Sequence, residues 1–227
     1  MSALASRLAE VDSKIAARLK ANGREAITRI VVSKFHPAQL VRDLYTLGVR
    51  DFGENRDQEA SVKSAELTDL DLNWHFIGQL QSNKVKSAIK YAGTIHSLDR
   101  ESLLTELIKQ TGSMEKQVDV FVQVNLTDDE GRGGVEPSAL SAFADRVASA
   151  PGLNLLGLMA VASLEHQEER DFAKIAQLSS ELRANHPKAA FISAGMSGDY
   201  ELAIDYGATH LRIGTAITGN RPTPQYS

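Results

Sequence analysis

Short apolar runs alternate with longer amphipathic stretches along the whole of this chain, and few folds accept that pattern. Eight runs read as strands: RIVVS at 29–33, DFG at 51–53, WHFI at 74–77, TIHS at 94–97, VDVFVQV at 118–124, LLGLM at 155–159, AFIS at 190–193 and HLRI at 210–213. Most are rich in Val, Ile and Phe and are bounded by Gly, Pro, Asn or Asp. The stretches between them suit helices over 37–47, 55–65, 82–90, 100–110, 137–149, 166–184 and 199–206. Pro37 and Pro137 fall at first-turn positions, where a missing N–H costs nothing. Ahead of the first strand, Leu4, Leu8, Val11, Ile15 and Leu19 recur at helical spacing, and Asn22-Gly23 closes that helix.

Strands separated by helices pair in parallel through crossover connections. A doubly wound open sheet is the rival arrangement. The count of eight and the preceding helix favour a single (β/α)8 TIM barrel with an extra N-terminal helix, one domain over 1–227 with an irregular tail at about 220–227. The 227 residues, 42% of them hydrophobic, suffice for such a core. A formal net charge of −4 with interspersed signs argues against a nucleic-acid surface. With no cysteine, disulfides, thiolate metal sites and a Cys nucleophile are excluded. Charges interrupt the N-terminal segment and no apolar run is long enough to span a bilayer, so the expectation is a cytoplasmic protein.

A barrel collects its chemistry at the C-terminal ends of its strands. Lys34 ends the first strand, where partial desolvation would favour the neutral amine that attacks an aldehyde. By position alone it could equally be a lysine that snorkels to solvent. Asn55 follows the second strand, as a helix cap or as an amide facing the mouth. Ser82 is read as another cap, Lys84 as a solvated charge and His75 as a barrel-layer histidine. Strand seven runs into Ser193-Ala194-Gly195-Met196-Ser197-Gly198-Asp199, and strand eight into Arg212-Ile213-Gly214-Thr215. Glycine permits close backbone approach, so Ser197, Gly214 and Thr215 have a physical reason to bind phosphate; two ordinary turns are the alternative. An inward Arg212 needs either an ion-pair partner or a ligand. The six histidines are scattered singly, which gives a metal site little support. The acidic run at 165–171 reads as an exposed helix start, and the loop GRGG at 131–134 as a solvated segment.

The stretches VVSKFHP, FGENRDQE, WHFIGQLQSNK, IHSLD, VQVN, GLMAV, SAGMSGDYELAI and RIGTAITG span positions 31 to 219. In this order they resemble the pyridoxal phosphate homeostasis proteins (the YggS/PROSC family). The resemblance implies a barrel similar to the alanine racemase N-terminal domain, with pyridoxal 5'-phosphate held by Lys34 as a Schiff base. It implies phosphate contacts from Ser197, Gly214, Thr215 and the backbone near Met196. Asn55, Met159 and Ser193 would line the ring pocket, and Arg212 would face the pyridine nitrogen. The chain departs from the pattern at Gln79, at Ala162-Ser163 and in the loop after Asn125, where Arg132 replaces a lysine.

Three functional readings follow. The first is a cofactor carrier in pyridoxal phosphate homeostasis and delivery, without turnover, for which PLP-dependent apo-enzymes are candidate recipients. The second is an amino-acid racemase; the third is a Schiff-base lysine enzyme acting on a phosphorylated metabolite. Twelve residues follow Thr215, and Tyr226 in the tail is a poor candidate for a positioned base. The carrier, as a monomer, is therefore the expectation.

Overall fold

The computed structural model describes residues 2–127, 133–163 and 167–220. Eight strands close into an all-parallel barrel in sequence order, from β1 (Thr28–Val32), β2 (Asp51–Glu54), β3 (Asn73–Phe76) and β4 (Ala92–Leu98) to β5 (Val118–Gln123), β6 (Leu153–Met159), β7 (Phe191–Ser193) and β8 (His210–Ile213). Closure is made by β1 on β8, with Thr28 opposite His210 and Ile30 opposite Arg212. The single TIM barrel expected from the alternation is the fold observed, and the open sheet is excluded.

The N-terminal helix α1 (Ala3–Ala21) buries Leu8, Val11, Ile15 and Leu19 on one face, and the Ser2 hydroxyl accepts from Ala5 N at its start. Between the strands lie α2 (Ala38–Thr46), α3 (Asp57–Glu66), α4 (Val85–Tyr91), α5 (Glu101–Met114), α6 (Leu140–Ala148), α7 (Glu168–Asn185) and α8 (Tyr200–Asp205). Most bury an apolar stripe against the strands, whereas α3 buries Asp57, Ala60 and Lys63. Val41 and Leu44 of α2 and Leu103, Leu104 and Leu107 of α5 form such stripes.

Several local expectations need correction. The third helix begins at Asp57, with Arg56 at the cap position; the Asn55 side chain makes no cap bond. Ser82 opens a 3-10 turn, Ser82–Lys84, that runs into α4 without a side-chain cap. Pro137 likewise opens a 3-10 turn ahead of α6. The fourth strand starts two residues early because α4 ends at Tyr91 and passes directly into Ala92. A further short helix, α9 (Thr215–Thr218), follows β8, beyond the seven inter-strand helices read from the sequence. The Arg7 side chain of α1 donates to the carbonyls of Ile217 (2.8 Å) and Thr218 (3.3 Å), so the N-terminal helix fastens α9 to the barrel. Arg132, Glu165, His166 and Tyr226 lie outside the described residues.

Candidate functional site

Inward-facing positions alternate along each barrel strand, so Val32 and Lys34, Asn55 beyond Gly53, and Arg212 and Gly214 share the interior side. Beyond the strand ends these residues meet in one cavity of about 360 Å³, a size typical of small-molecule sites, roughly 300–1,000 Å³. Lys34, Asn55, Met196, Ser197, Arg212, Gly214 and Thr215 line it, joined by Phe35, His36 and Thr218. Met159 and Ser193 stand elsewhere. Both are buried among the strands, and Ser193 lies behind Arg212, whose Nη1 donates to its hydroxyl at 2.7 Å.

Lys34 is held by a buried polar clamp that the sequence did not announce. Glu54, fully buried, accepts from Lys63 Nζ at 2.6 Å and from Ser33 Oγ at 2.7 Å. Lys63 also donates to the carbonyl oxygen of Ser33 at 2.9 Å and to Glu59 at 3.1 Å. Glu59 in turn accepts from the backbone N–H of Phe35. Phe35 needs that hold, because its φ of 66° lies in the left-handed region that a bulky residue rarely adopts. Lys34 thus sits between two residues tied to α3. Burial pushes the Glu54 carboxyl above its ordinary value, against the pull of Lys63 and Ser33.

Asn55 is placed by a close approach. A Cβ on Gly78 would lie 2.2 Å from the Asn55 carbonyl oxygen, so only glycine lets the end of β3 pack there. The Asn55 Oδ1 is buried with no hydrogen-bond partner among the described residues.

The loop after β7 folds onto the start of α9. Ser197 Oγ accepts from the backbone N–H groups of Gly214 and Ala216, each at 3.2 Å. Asp199 Oδ1 accepts from Met196 N, which closes the loop over α8. Arg212, 4% exposed, donates to Ser193 Oγ and, at 2.8 Å, to the Ala160 carbonyl. Burial lowers its pKa to about 10, so it remains a cation at neutral pH. Burial, then the charge of Lys63, lowers that of His36 against the pull of Glu59, which favours the neutral imidazole. The site therefore offers an amine, a fixed cation and a turn rich in N–H and O–H donors around one small space.

His75 is a barrel-layer histidine, as expected, but it has company. With His96 and His210 it fills the interior below Arg212, where barrels usually carry aliphatic layers. Strand parity was the signal: these histidines share the inward side with Ile77 and Arg212, which line the cavity.

Comparison with known proteins bears on this geometry. Residues 1–222 match the family described as alanine racemase, N-terminal domain. The pyridoxal phosphate homeostasis protein of Pseudomonas aeruginosa is 40% identical over 223 residues, 97% of either chain. The structure of PipY from Synechococcus elongatus, solved with PLP bound, superposes with a TM-score of 0.86 at 36% identity. It covers 95% of this chain and 100% of PipY. Alanine racemase from Corynebacterium glutamicum shares the fold (TM-score 0.68, 12% identity), with 88% of this chain aligned to 58% of that one.

Proposed function

This chain belongs to the alanine racemase N-terminal domain family and, within it, to the pyridoxal phosphate homeostasis proteins, and we propose that its cavity holds pyridoxal 5'-phosphate on Lys34. The observation that carries the proposal is the meeting of Lys34, Arg212 and the Ser197–Gly214–Thr215 turn in a single cavity. The residues fit the group. Lys34 supplies an amine for the aldehyde, Arg212 a cation for the ring nitrogen, and the turn donors for the phosphate. Asn55 has a buried amide end without a partner, which a ring substituent would satisfy, directly or after rotation of the amide.

When bound, the cofactor supplies an electrophilic aldehyde and a conjugated ring able to take up electrons. The protein's own contribution is to hold it. The clamp of Glu54, Lys63 and Glu59 fixes the backbone on both sides of Lys34, and Arg212, which keeps its proton, would leave a ring nitrogen facing it without one. A ring so held is a weaker electron sink, which suits storage and delivery more than carbanion chemistry. The tyrosines among the described residues do not line the cavity. We therefore assign the chain to intracellular cofactor homeostasis, holding and handing over pyridoxal phosphate to PLP-dependent apo-enzymes without turnover.

A racemase reading has one observation in its favour. His36 lines the same cavity as Lys34, and its lowered pKa favours the neutral form that a proton acceptor needs. Chiral analysis of amino acids incubated with the loaded protein separates the two: stable enantiomeric composition supports the carrier, and interconversion that vanishes in His36→Asn supports the racemase.

The cofactor itself is tested by absorbance with borohydride reduction and peptide mapping. Wild type should take up pyridoxal phosphate, turn yellow and carry a reduced pyridoxyl group on Lys34, and Lys34→Ala should do none of these. A wild type that stays colourless with added cofactor overturns the assignment.

A further inference from the structure

A chain of hydrogen bonds runs through the barrel interior, from the cavity to the opposite end. Arg212 Nη1 donates to Ser193 Oγ at 2.7 Å. Ser193 Oγ lies 2.8 Å from His96 Nδ1, His96 Nε2 lies 3.0 Å from His75 Nδ1, and His75 Nε2 lies 3.1 Å from Asp51 Oδ1. The chain crosses five strands, β8, β7, β4, β3 and β2. Asp51 is the first residue of β2, and it lines a polar depression at the N-terminal strand ends with Asn73, Thr94, Asp119 and His210.

The protons on this path can be assigned. A guanidinium only donates, so Ser193 Oγ accepts from Arg212 and is left with one O–H to give. Ser193 and His96 are both fully buried, and the acceptor in reach of that O–H is His96 Nδ1. Around His96 stand His75 on β3, Phe121 on β5, and His210 and Arg212 on β8, with no carboxylate among them. Burial first, then these cationic and imidazole neighbours, hold His96 neutral. Its single N–H therefore sits on Nε2 and points to His75 Nδ1, and the N–H of His75 on Nε2 points to the Asp51 carboxylate. Every donor faces the same way, from cation to anion. The opposite polarity would aim both Arg212 and His96 at one Ser193 oxygen and leave a buried hydroxyl proton without an acceptor.

We propose that Ser193, His96, His75 and Asp51 act as positioning residues, a one-directional relay that fixes the Arg212 guanidinium at the cavity wall for cofactor binding. The inference rests on the cofactor assignment above. Aligned hydrogen bonds between buried groups reinforce one another, so the orientation of Arg212 depends on a carboxylate at the far end of the barrel. Asp119 serves as an internal control. It lines the same depression, bonds to Asn154 at 2.9 Å and has no place in the relay.

Two measurements test this. Nitrogen-15 spectra of the imidazoles in the cofactor-free chain should show His96 and His75 protonated on Nε2; His96 protonated on Nδ1 would overturn the relay. Pyridoxal phosphate titrations of Ser193→Ala, Asp51→Asn and Asp119→Asn provide the second. Ser193→Ala should bind about tenfold more weakly, the worth of one buried hydrogen bond to a charged group. Asp51→Asn should weaken binding in the same direction and move the absorption maximum of the bound cofactor, and Asp119→Asn should leave both unchanged. The effect of Asp51→Asn should vanish in the Ser193→Ala background, because the relay is already cut there. Additive losses, or affinity and spectrum at wild-type values in both relay variants, would overturn the proposal. A merely structural role would lower the melting temperature and leave the spectrum unmoved. A wild type that binds no cofactor would sink the cofactor assignment, and the imidazole spectra would still decide the polarity of the chain.

Discussion

Replacing Lys63 with methionine removes the cation from a fully buried carboxylate and keeps most of the side-chain volume. Lys63 is 5% exposed and its Nζ lies 2.6 Å from Glu54 Oε1. At an effective dielectric constant of about 20, opposite charges at that distance attract by roughly 6 kcal/mol before desolvation is counted. The net cost of breaking such a buried pair is about 3–5 kcal/mol, because the remaining charge stays buried. In a chain of this size that corresponds to a fall of roughly 6–20 °C in melting temperature. The sign with pH follows from Glu54. Its folded pKa is raised above 4.5, chiefly by burial, with Lys63 opposing. A carboxyl so raised contributes stability that is present below about 4.5 and lost as pH rises through the folded value. Lys63→Met removes the opposing influence, so the folded value climbs and the loss extends to higher pH. Calorimetric melting should therefore show a large deficit at pH 8 that narrows toward pH 5. The double variant Glu54→Gln/Lys63→Met should recover most of it. Cofactor affinity should fall in the single variant, since Lys63 also holds the Ser33 carbonyl beside Lys34. A deficit equal at both pH values, or one smaller than about 1 kcal/mol, would refute the reasoning.

Two shorter predictions follow from neighbouring features. Burial, then His75, lowers the His210 pKa from 6.5 to about 4; its contribution is present above 6.5 and lost as pH falls through about 4. His210→Gln should accordingly flatten the decline in melting temperature between pH 7 and pH 4.5, and a decline as steep as the wild type's would count against it. Gly78→Ala places a Cβ against the Asn55 carbonyl, so stability should drop by about 1–3 kcal/mol, as in other overpacked sites. Weaker cofactor uptake should accompany that drop, read by denaturant melts and titration.

The parts of this molecule that were legible in its sequence are those set by local chemistry. Eight apolar runs bounded by turn residues specify a parallel barrel, because crossover helices leave few other closures, and all eight runs became strands. Errors fell where punctuation was weak. The junction of Tyr91 and Ala92 carries no turn residue, so the start of β4 could not be read, and the four residues of α9 are too few to show a period. Asn55 left two readings open, a helix cap or an amide at the barrel mouth; its side chain lines the cavity, and the helix starts without it.

The relay and the clamp were out of reach for a different reason. Both depend on pairs far apart in the chain that the barrel brings to one level. His75, His96, Ser193 and Arg212 come from four strands, and their contacts exist only after closure sets the register. Read singly, His75 is a barrel-layer histidine and Arg212 an inward cation, and nothing in either one's local sequence names its partner. What strand alternation does carry is direction. His75 and Ile77, His96, and His210 and Arg212 all fall on the inward parity, which already describes a barrel packed with ring nitrogens where aliphatic layers are usual. Buried polar groups are tolerated only when each finds a partner. A polar interior at that depth therefore required a hydrogen-bonded path of some kind. Charge narrows its ends to Arg212 near the strand C-termini and to Asp51 or Asp119 at the other end, and the contact with His75 selects Asp51.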